Sequence, residues 1–197
     1  PNIRGLQWTS ADFKSTGEFH SGDTILMTSK RGFDLFTTDK QDGANNNNGV
    51  YRVQASANGQ RFFDAHYNRI NFSTSRYINA HVNFERYYTH GVRYTRLYEL
   101  ENNPLKITET SDILTPSFSA VKGWISVAKD SLVKVDVTVN DFANNTSKFH
   151  FFLKGAPGEE ADADPGVLTW DQDHDLKVGP IAVHVPSGAL YRDTEFK

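Results

Sequence analysis

A run of alternating valines in the second half of the chain is the strongest constraint on its fold. In the segment 132–140, four valines occupy every second position and polar residues stand between them: Val133, Val135, Val137 and Val139. Successive side chains of a β-strand point to opposite faces, so this period predicts a strand with one buried and one solvated face. Residues 121–128 and 148–153 are also rich in strand-forming residues. We therefore expect a three-stranded meander from Val121 to Leu153.

The bulk composition limits what else the chain can be. Its 197 residues can bury a substantial core, and because there is no cysteine, that core forms without disulfides. A net charge of −3 argues against a general nucleic-acid binder. No run of about 18 apolar residues and no signal-peptide pattern occurs, so we expect no membrane insertion. Because the chain begins at Pro1, we expect further residues upstream in the intact protein.

Turn signals in the first 66 residues predict two hairpins. Residues 23–29 and 33–38 are β-rich, and Gly32 between them can supply the positive φ of a tight turn. The second hairpin joins residues 50–55 to 61–66 through Asn58 and Gly59. The segment 39–49, which contains four consecutive asparagines, is predicted to be a loop.

The segment 61–100, which we call the Arg-aromatic segment, has an unusual composition. It contains ten Phe or Tyr residues and six arginines but no lysine. Arginine is planar and stacks on rings, so this preference indicates fixed contacts. Two interpretations follow. The pairs can be cross-strand cation–π contacts inside the fold, or they can form a surface for a ligand or another subunit.

Two prolines mark the best candidate for a boundary between modules. Pro104 and Pro116 lie in the weakly periodic segment 101–118, where proline removes strand hydrogen-bond donors. The fold class predicted is all-β, with a polar, Arg- and aromatic-rich β region at 1–100 that could be intertwined between chains. After the linker at 101–118, residues 119–197 are predicted to form a β-sandwich or jelly-roll-like module.

One acidic stretch resembles the start of a calcium loop. Alternate aspartates at 171, 173 and 175 have the spacing of an EF-hand loop, in which carboxylates converge on the ion. The rest of the pattern fails, because Leu176 replaces the loop's glycine and Ala182 replaces its bidentate glutamate. We interpret the stretch as a solvated turn and predict no metal site. The acidic segment 155–165 is predicted to be an exposed loop.

Motifs for catalysis are missing from the sequence. There is no Gly-x-Ser-x-Gly, no phosphate-binding glycine loop and no dinucleotide fingerprint. Asp64, Glu85 and Glu99 are candidates for the carboxylate pair of a glycosidase, but chains of this size commonly offer such residues. The histidines at 66, 81 and 90 lack metal-ligand spacing, and structural roles are expected. These observations favour a protein that binds without catalysis and needs no cofactor.

Short polar strands, an asparagine-rich turn and arginine-aromatic faces characterise residues 32–55 and 62–100. In this composition and strand pattern the chain resembles the distal part of a tailed-phage tail fibre or tailspike. The resemblance implies a homotrimeric, non-enzymatic adhesin of the virion, or an extracellular one, that binds a bacterial surface glycan or an outer-membrane protein. No motif carries the resemblance, so it supplies no functional residues.

The candidate ligand-binding residues come from composition and physical chemistry. Aromatic rings stack on the apolar faces of sugars, while arginine and short polar side chains bind hydroxyls. On this basis we predict two patches, one within the Arg-aromatic segment and one beside the acidic loop: Tyr87, Tyr88, Arg93, Tyr94 and Arg96, and Trp170. Two alternatives stay open, a carbohydrate-binding or accessory module of a polysaccharide-degrading enzyme and a jelly-roll capsid or structural protein.

Overall fold

The chain folds mainly into β-strands. A computed structural model describes residues 1–10, 15–40, 47–158, 167–178 and 181–195. The strands are β1 (Asn2–Ser10), β2 (Ser15–Phe19), β3 (Thr24–Met27), β4 (Arg31–Lys40), β5 (Asn47–Asn48), β6 (Arg52–Ala57), β7 (Gln60–His66), β8 (Thr95–Arg96), β9 (Thr108–Thr110), β10 (Ile113–Leu114), β11 (Phe118–Val121), β12 (Trp124–Val127), β13 (Leu132–Asn140), β14 (Thr146–Gly155), β15 (Val167–Leu168), β16 (His174–Val178), β17 (Ile181–Val185) and β18 (Thr194–Glu195). The all-β prediction is confirmed.

Three short helical elements follow one another between β7 and β8. They are a 3-10 helix (Ser75–Tyr77), α1 (Ile78–His81) and α2 (Phe84–His90). None of the helices in the described residues is long and apolar enough to cross a membrane.

Two large sheets contain most of the strands. The eight-stranded sheet has the order β10-β11-β12-β4-β1-β2, with β5 and β8 also paired to β4. The six-stranded sheet has the order β3-β14-β13-β6-β7-β9, in which only the β3–β14 pair is parallel. Two further sheets of two strands each, β15–β18 and β16–β17, follow in the C-terminal part.

The apolar faces of the two large sheets meet in one core. Phe33 of β4 and Phe151 of β14 lie on opposite sides of it, with ring centroids 5.0 Å apart. The alternating valines of β13 all point into this core and are at most 1% exposed: Val133, Val135, Val137 and Val139. Burying each such side chain contributes about 1.5–3 kcal/mol, which makes β13 a central stabilising element.

The hairpin predicted at Asn58 and Gly59 is confirmed. Strands β6 and β7 pair in antiparallel register on either side of this turn. Both turn residues have positive φ, 47° at Asn58 and 80° at Gly59. That geometry suits a two-residue loop, whose twist matches that of the strands it joins.

The hairpin predicted across Gly32 is wrong. Strand β3 belongs to the six-stranded sheet and β4 to the eight-stranded sheet, so the chain crosses the core between them. Gly32 lies inside β4, and its φ is not positive. It is a glycine position because the ring of Tyr98 lies directly against it; a Cβ there would be 2.5 Å from Tyr98 Cε1.

The predicted meander from Val121 to Leu153 is correct only in its second half. Strands β13 and β14 pair along nine residue pairs in the six-stranded sheet. Strands β11 and β12 form their own hairpin, but it lies in the eight-stranded sheet, where β12 pairs with β4. The chain therefore changes sheets between β12 and β13.

Strands on the two sides of the predicted linker at 101–118 pair with each other. Strand β12 pairs with β4, β13 with β6 and β14 with β3, so both large sheets combine strands from before and after the linker. Strand β9, within the linker, is itself the edge of the six-stranded sheet. Strands from residues 1–100 and from residues 118–155 thus share one core in the described part of the chain.

The Arg-aromatic segment is not β throughout, although the sequence predicts a β region over 1–100. Its helices cover the outer face of the eight-stranded sheet, where Tyr98 and Trp124 pack with ring centroids 4.2 Å apart. A second, smaller apolar cluster forms there: Ala80, Tyr98, Leu100 and Trp124, with Tyr191 packed against it. Strand β4 is consequently buried on both faces over its first five residues.

Candidate functional site

Two exposed residues of the predicted set form a pair: Tyr87 lies on helix α2, and Arg93 follows three residues after the helix ends. The Arg93 guanidinium carbon lies 4.7 Å from the centre of the Tyr87 ring, and Arg93 Nη2 donates to the Tyr87 hydroxyl at 3.3 Å. The helix is held at both ends. The Asn83 side chain accepts from the Arg86 N–H, and Gly91, with a φ of 69°, donates to the Tyr87 carbonyl. The backbone that carries Tyr87 is therefore held at both ends of the helix, and the Tyr87 side chain contacts Arg93.

This pair borders an open groove of about 620 Å³. The opposite wall comes from β4, β5 and the residues after β5, and it brings hydroxyl, amide and apolar groups to the same space. The lining residues are Phe36, Thr37, Thr38, Asn48, Gly49, Val50, Tyr67, Val82, Tyr87, Gly91, Val92, Arg93 and Thr95. The arrangement combines a ring, a cation and small polar groups around one concave surface, as ligand sites commonly do.

A hydrogen-bonded polar pair, the half-buried Tyr67 and the buried His81, lies beneath the groove. Tyr67 lines it, and the Tyr67 hydroxyl is 2.8 Å from Nε2 of His81. Burial, with a further contribution from the charge of Arg96, lowers the pKa of His81 to about 3, and burial raises the pKa of Tyr67 above its usual value. Both side chains are consequently neutral around pH 7, and their hydrogen bond fixes the position of the Tyr67 ring.

Tyr88 extends an aromatic surface on the outer side of α2. Its side chain is 83% exposed and stacks on Phe84 with an interplanar angle of 27° and a centroid distance of 6.4 Å. Phe84 also contacts Tyr87. The predicted residues Tyr87, Tyr88 and Arg93 thus lie together on one accessible side of the molecule.

Tyr94 and Arg96, also predicted to bind ligand, are interior residues. Tyr94 is 1% exposed; it lies between the ring of Phe36 and the guanidinium of Arg86. Arg96 is 7% exposed, and its Nη1 donates to three carbonyls of the α1 region, those of residues 79, 80 and 82. Their burial closes them to a ligand arriving from solvent, and their role is to attach the helices to the sheet.

Trp170, the remaining predicted residue, lies in a different place. It is in the turn between β15 and β16, where its backbone N–H donates to the Asp193 carboxylate and its backbone carbonyl accepts from the Gly188 N–H. It does not line the groove beside α2. Most of the acidic loop expected beside it, residues 159–166, lies outside the described residues.

The carboxylates considered for glycoside hydrolysis have separate structural partners. Asp64 accepts from Arg52 and Gln54, and Glu99 accepts from the hydroxyls of Thr108 and Thr110. Glu85 is exposed in the first turn of α2. The structure therefore gives no reason to pair these groups around a substrate.

The histidines and aspartates weighed as metal ligands are likewise apart. The ring of His66 contacts that of Tyr51 with centroids 5.6 Å apart, and His90 contacts the Thr89 hydroxyl. Asp173 accepts from the Ser187 N–H, and Asp175 pairs with His184 at 2.8 Å. No group of three or more His, Asp or Glu residues that could hold a metal occurs in the described ranges.

Several residues of the groove carry no sequence signal for binding. Thr37 and Thr38 are ordinary strand residues, and Asn48 belongs to the asparagine-rich stretch predicted to be a loop. Tyr67 is one of the ten aromatic residues of the Arg-aromatic segment, but it is not in the predicted binding set. Their meeting depends on β5 folding back onto β4 and on the position of α2, which are contacts distant in sequence.

No protein-family model, curated protein or solved structure matches the chain.

Proposed function

We propose that the chain is a non-enzymatic binding module that recognises a glycan through the groove beside α2. The observation that carries this proposal is the Tyr87 ring, held by Arg93 at the edge of an open groove that also contains hydroxyl and amide groups. A glycan on a bacterial surface is the ligand that fits the proposed role as an adhesin.

The chemistry of sugars favours this ligand class. A pyranose ring has apolar C–H faces and polar edges, so it requires an aromatic surface next to hydrogen-bonding groups. The groove offers Tyr87 for the C–H face and Thr37, Thr38, Asn48 and Arg93 for the hydroxyls. Because the Arg93–Tyr87 stack holds both side chains in place, little side-chain entropy is lost on binding.

Glycan-array binding of the purified chain tests the proposal. We expect binding to a subset of bacterial surface glycans and its loss, by tenfold or more, in the double variant Tyr87→Ala, Arg93→Ala. Arg76→Ala is the matched control, because Arg76 is exposed and lies 4.8 Å over the ring of Tyr77 but does not line the groove. Undiminished binding by the double variant would remove the groove from consideration.

The place of this module in a larger assembly follows from the resemblance to tail fibres. We propose a homotrimer on a virion, whose three grooves together would multiply a weak single-site affinity. Because one chain closes its own core, the trimer would form by docking of folded chains. Light scattering distinguishes the candidates: a trimer supports the fibre, whereas a monomer supports a carbohydrate-binding or accessory module. A larger closed shell would support a capsid protein.

A further inference from the structure

A second cavity lies at the end of the six-stranded sheet. It has a volume of about 180 Å³, room for about six water molecules at ~30 Å³ each. Its walls come from β6, β7, β9 and the residues next to them, and the polar groups that matter are Arg52, Asp64, His66, Arg69, Lys106 and Glu109. The cavity is partly open, so a small ligand can enter from solvent.

Asp64 is the most buried charge in this cavity, and it is already compensated. It is 8% exposed and accepts from Arg52 Nε at 2.8 Å and from Gln54 Nε2 at 2.9 Å. Arg61 lies 3.2 Å away. Burial alone would raise the pKa of Asp64, but the hydrogen bonds from Arg52 and Gln54 and the charges of Arg52 and Arg61 outweigh it and lower that pKa.

The remaining donors lack acceptors within the described part of the chain. Arg69 and Lys106 are exposed and form no ion pair with a described residue, and Arg52 bonds to Asp64 through Nε and Nη2, not through Nη1. The Nε2 atom of His66 is buried without a hydrogen-bond partner. Three permanent cations therefore line the cavity against two carboxylates, and Arg61 adds a fourth cation from outside its wall.

We propose that this cavity binds the oxyanion group of a small ligand, a carboxylate, phosphate or sulfate. Arg69 and Lys106 provide the attracting charge, while Arg52, oriented by Asp64, provides a fixed guanidinium donor. The site is separate from the groove: Tyr67 lines the groove, whereas His66 and Asn68 line this cavity.

Titration of the isotope-labelled chain, followed by the amide NMR signals, tests this site. The ligands are sodium glucuronate, sodium phosphate and sodium sulfate, with sodium chloride at matched ionic strength as reference. We expect saturable shifts at the amides of His66, Arg69 and Lys106 with at least one of the three oxyanions. In the double variant Arg69→Ala, Lys106→Ala, the dissociation constant should rise at least tenfold.

A charge-matched control variant separates the loss of specific cavity residues from the loss of two positive charges in general. Arg76→Ala, Lys129→Ala also deletes two exposed cations, but neither lines the cavity, so its dissociation constant should stay within twofold.

Equal binding of the inorganic ions and glucuronate would assign recognition to the oxyanion itself, and binding of glucuronate alone would assign it to a carboxylate on a ring. If no oxyanion shifts these amides, or if both double variants bind alike, the site does not exist. Tyr87→Ala, Arg93→Ala should leave this binding intact, which separates it from the glycan proposal.

Discussion

At the scale of single residues, the contact between Gly32 and Tyr98 joins the sheet to the segment that carries the groove. The ring of Tyr98 lies directly against the glycine and also contacts the ring of Trp124, with centroids 4.2 Å apart. Tyr98 also accepts a hydrogen bond from Arg96 Nε at 3.2 Å. The ring is thus confined on several sides, and it cannot move aside to make room for a larger neighbour.

Gly32→Ala is therefore expected to destabilise the protein by about 2–3 kcal/mol, because overpacking of a confined site outweighs the gain from replacing a strand glycine. Urea unfolding measures the change in the free energy of unfolding. Gly49→Ala is the matched control: a Cβ there meets nothing within 4 Å and its φ is not positive, so its effect should stay within about 1 kcal/mol. Equal effects of the two substitutions would contradict the proposed contact.

At the scale of elements, the short helices depend on buried polar contacts for their position. Arg96 donates to carbonyls at the end of α1, and His81 of α1 bonds to Tyr67, which packs against the main core. A helix of four residues has negligible stability of its own. The helical segment therefore stays docked only while His81 is neutral and Arg96 keeps its acceptors.

Acid should weaken this docking through His81. The pKa of His81 is 6.5 in the unfolded chain and about 3 in the folded one, so only the unfolded chain takes up the proton in that window. Stability consequently falls as the pH decreases from 6.5 toward 3, by about 2 kcal/mol between pH 7.5 and pH 5. Urea unfolding at several pH values measures the slope.

His81→Gln should flatten that slope, because glutamine does not titrate yet can still bond to the Tyr67 hydroxyl. His90→Gln is the control, since His90 is exposed at the end of α2 and its replacement should leave the slope unchanged. An unchanged slope in His81→Gln would assign the acid sensitivity to other groups.

The strands themselves were largely predictable from the sequence, but their partners were not. Alternation predicts β13, and Asn58-Gly59 predicts the β6–β7 turn, because both depend on neighbours within a few residues. Which sheet β3 or β12 joins depends on contacts across the whole chain, so local signals assigned both to the wrong sheet. The same limit applies to the site: composition pointed to Tyr87 and Arg93, but it could not distinguish them from the buried Tyr94 and Arg96.

At the scale of the whole molecule, the two large sheets depend on each other. Each combines strands from before and after the segment 101–118, and Phe151 of the six-stranded sheet contacts Phe19 and Phe33 of the eight-stranded sheet across the space between them. A loss of either sheet would expose the apolar face of the other. The groove beside α2 and the cavity lined by Asp64 and Arg69 are built on these same sheets, so their geometry depends on the complete core.

The two large sheets should therefore unfold in a single transition. Urea curves followed by tryptophan fluorescence and by far-ultraviolet circular dichroism should coincide, because no part of the shared core can persist alone. The fragment 119–197 should be unfolded in isolation, since it loses the pairings of β12 with β4, β13 with β6 and β14 with β3. Two separated transitions, or a fragment 119–197 with the circular dichroism of a folded β protein, would instead support an independent C-terminal module and contradict the shared core.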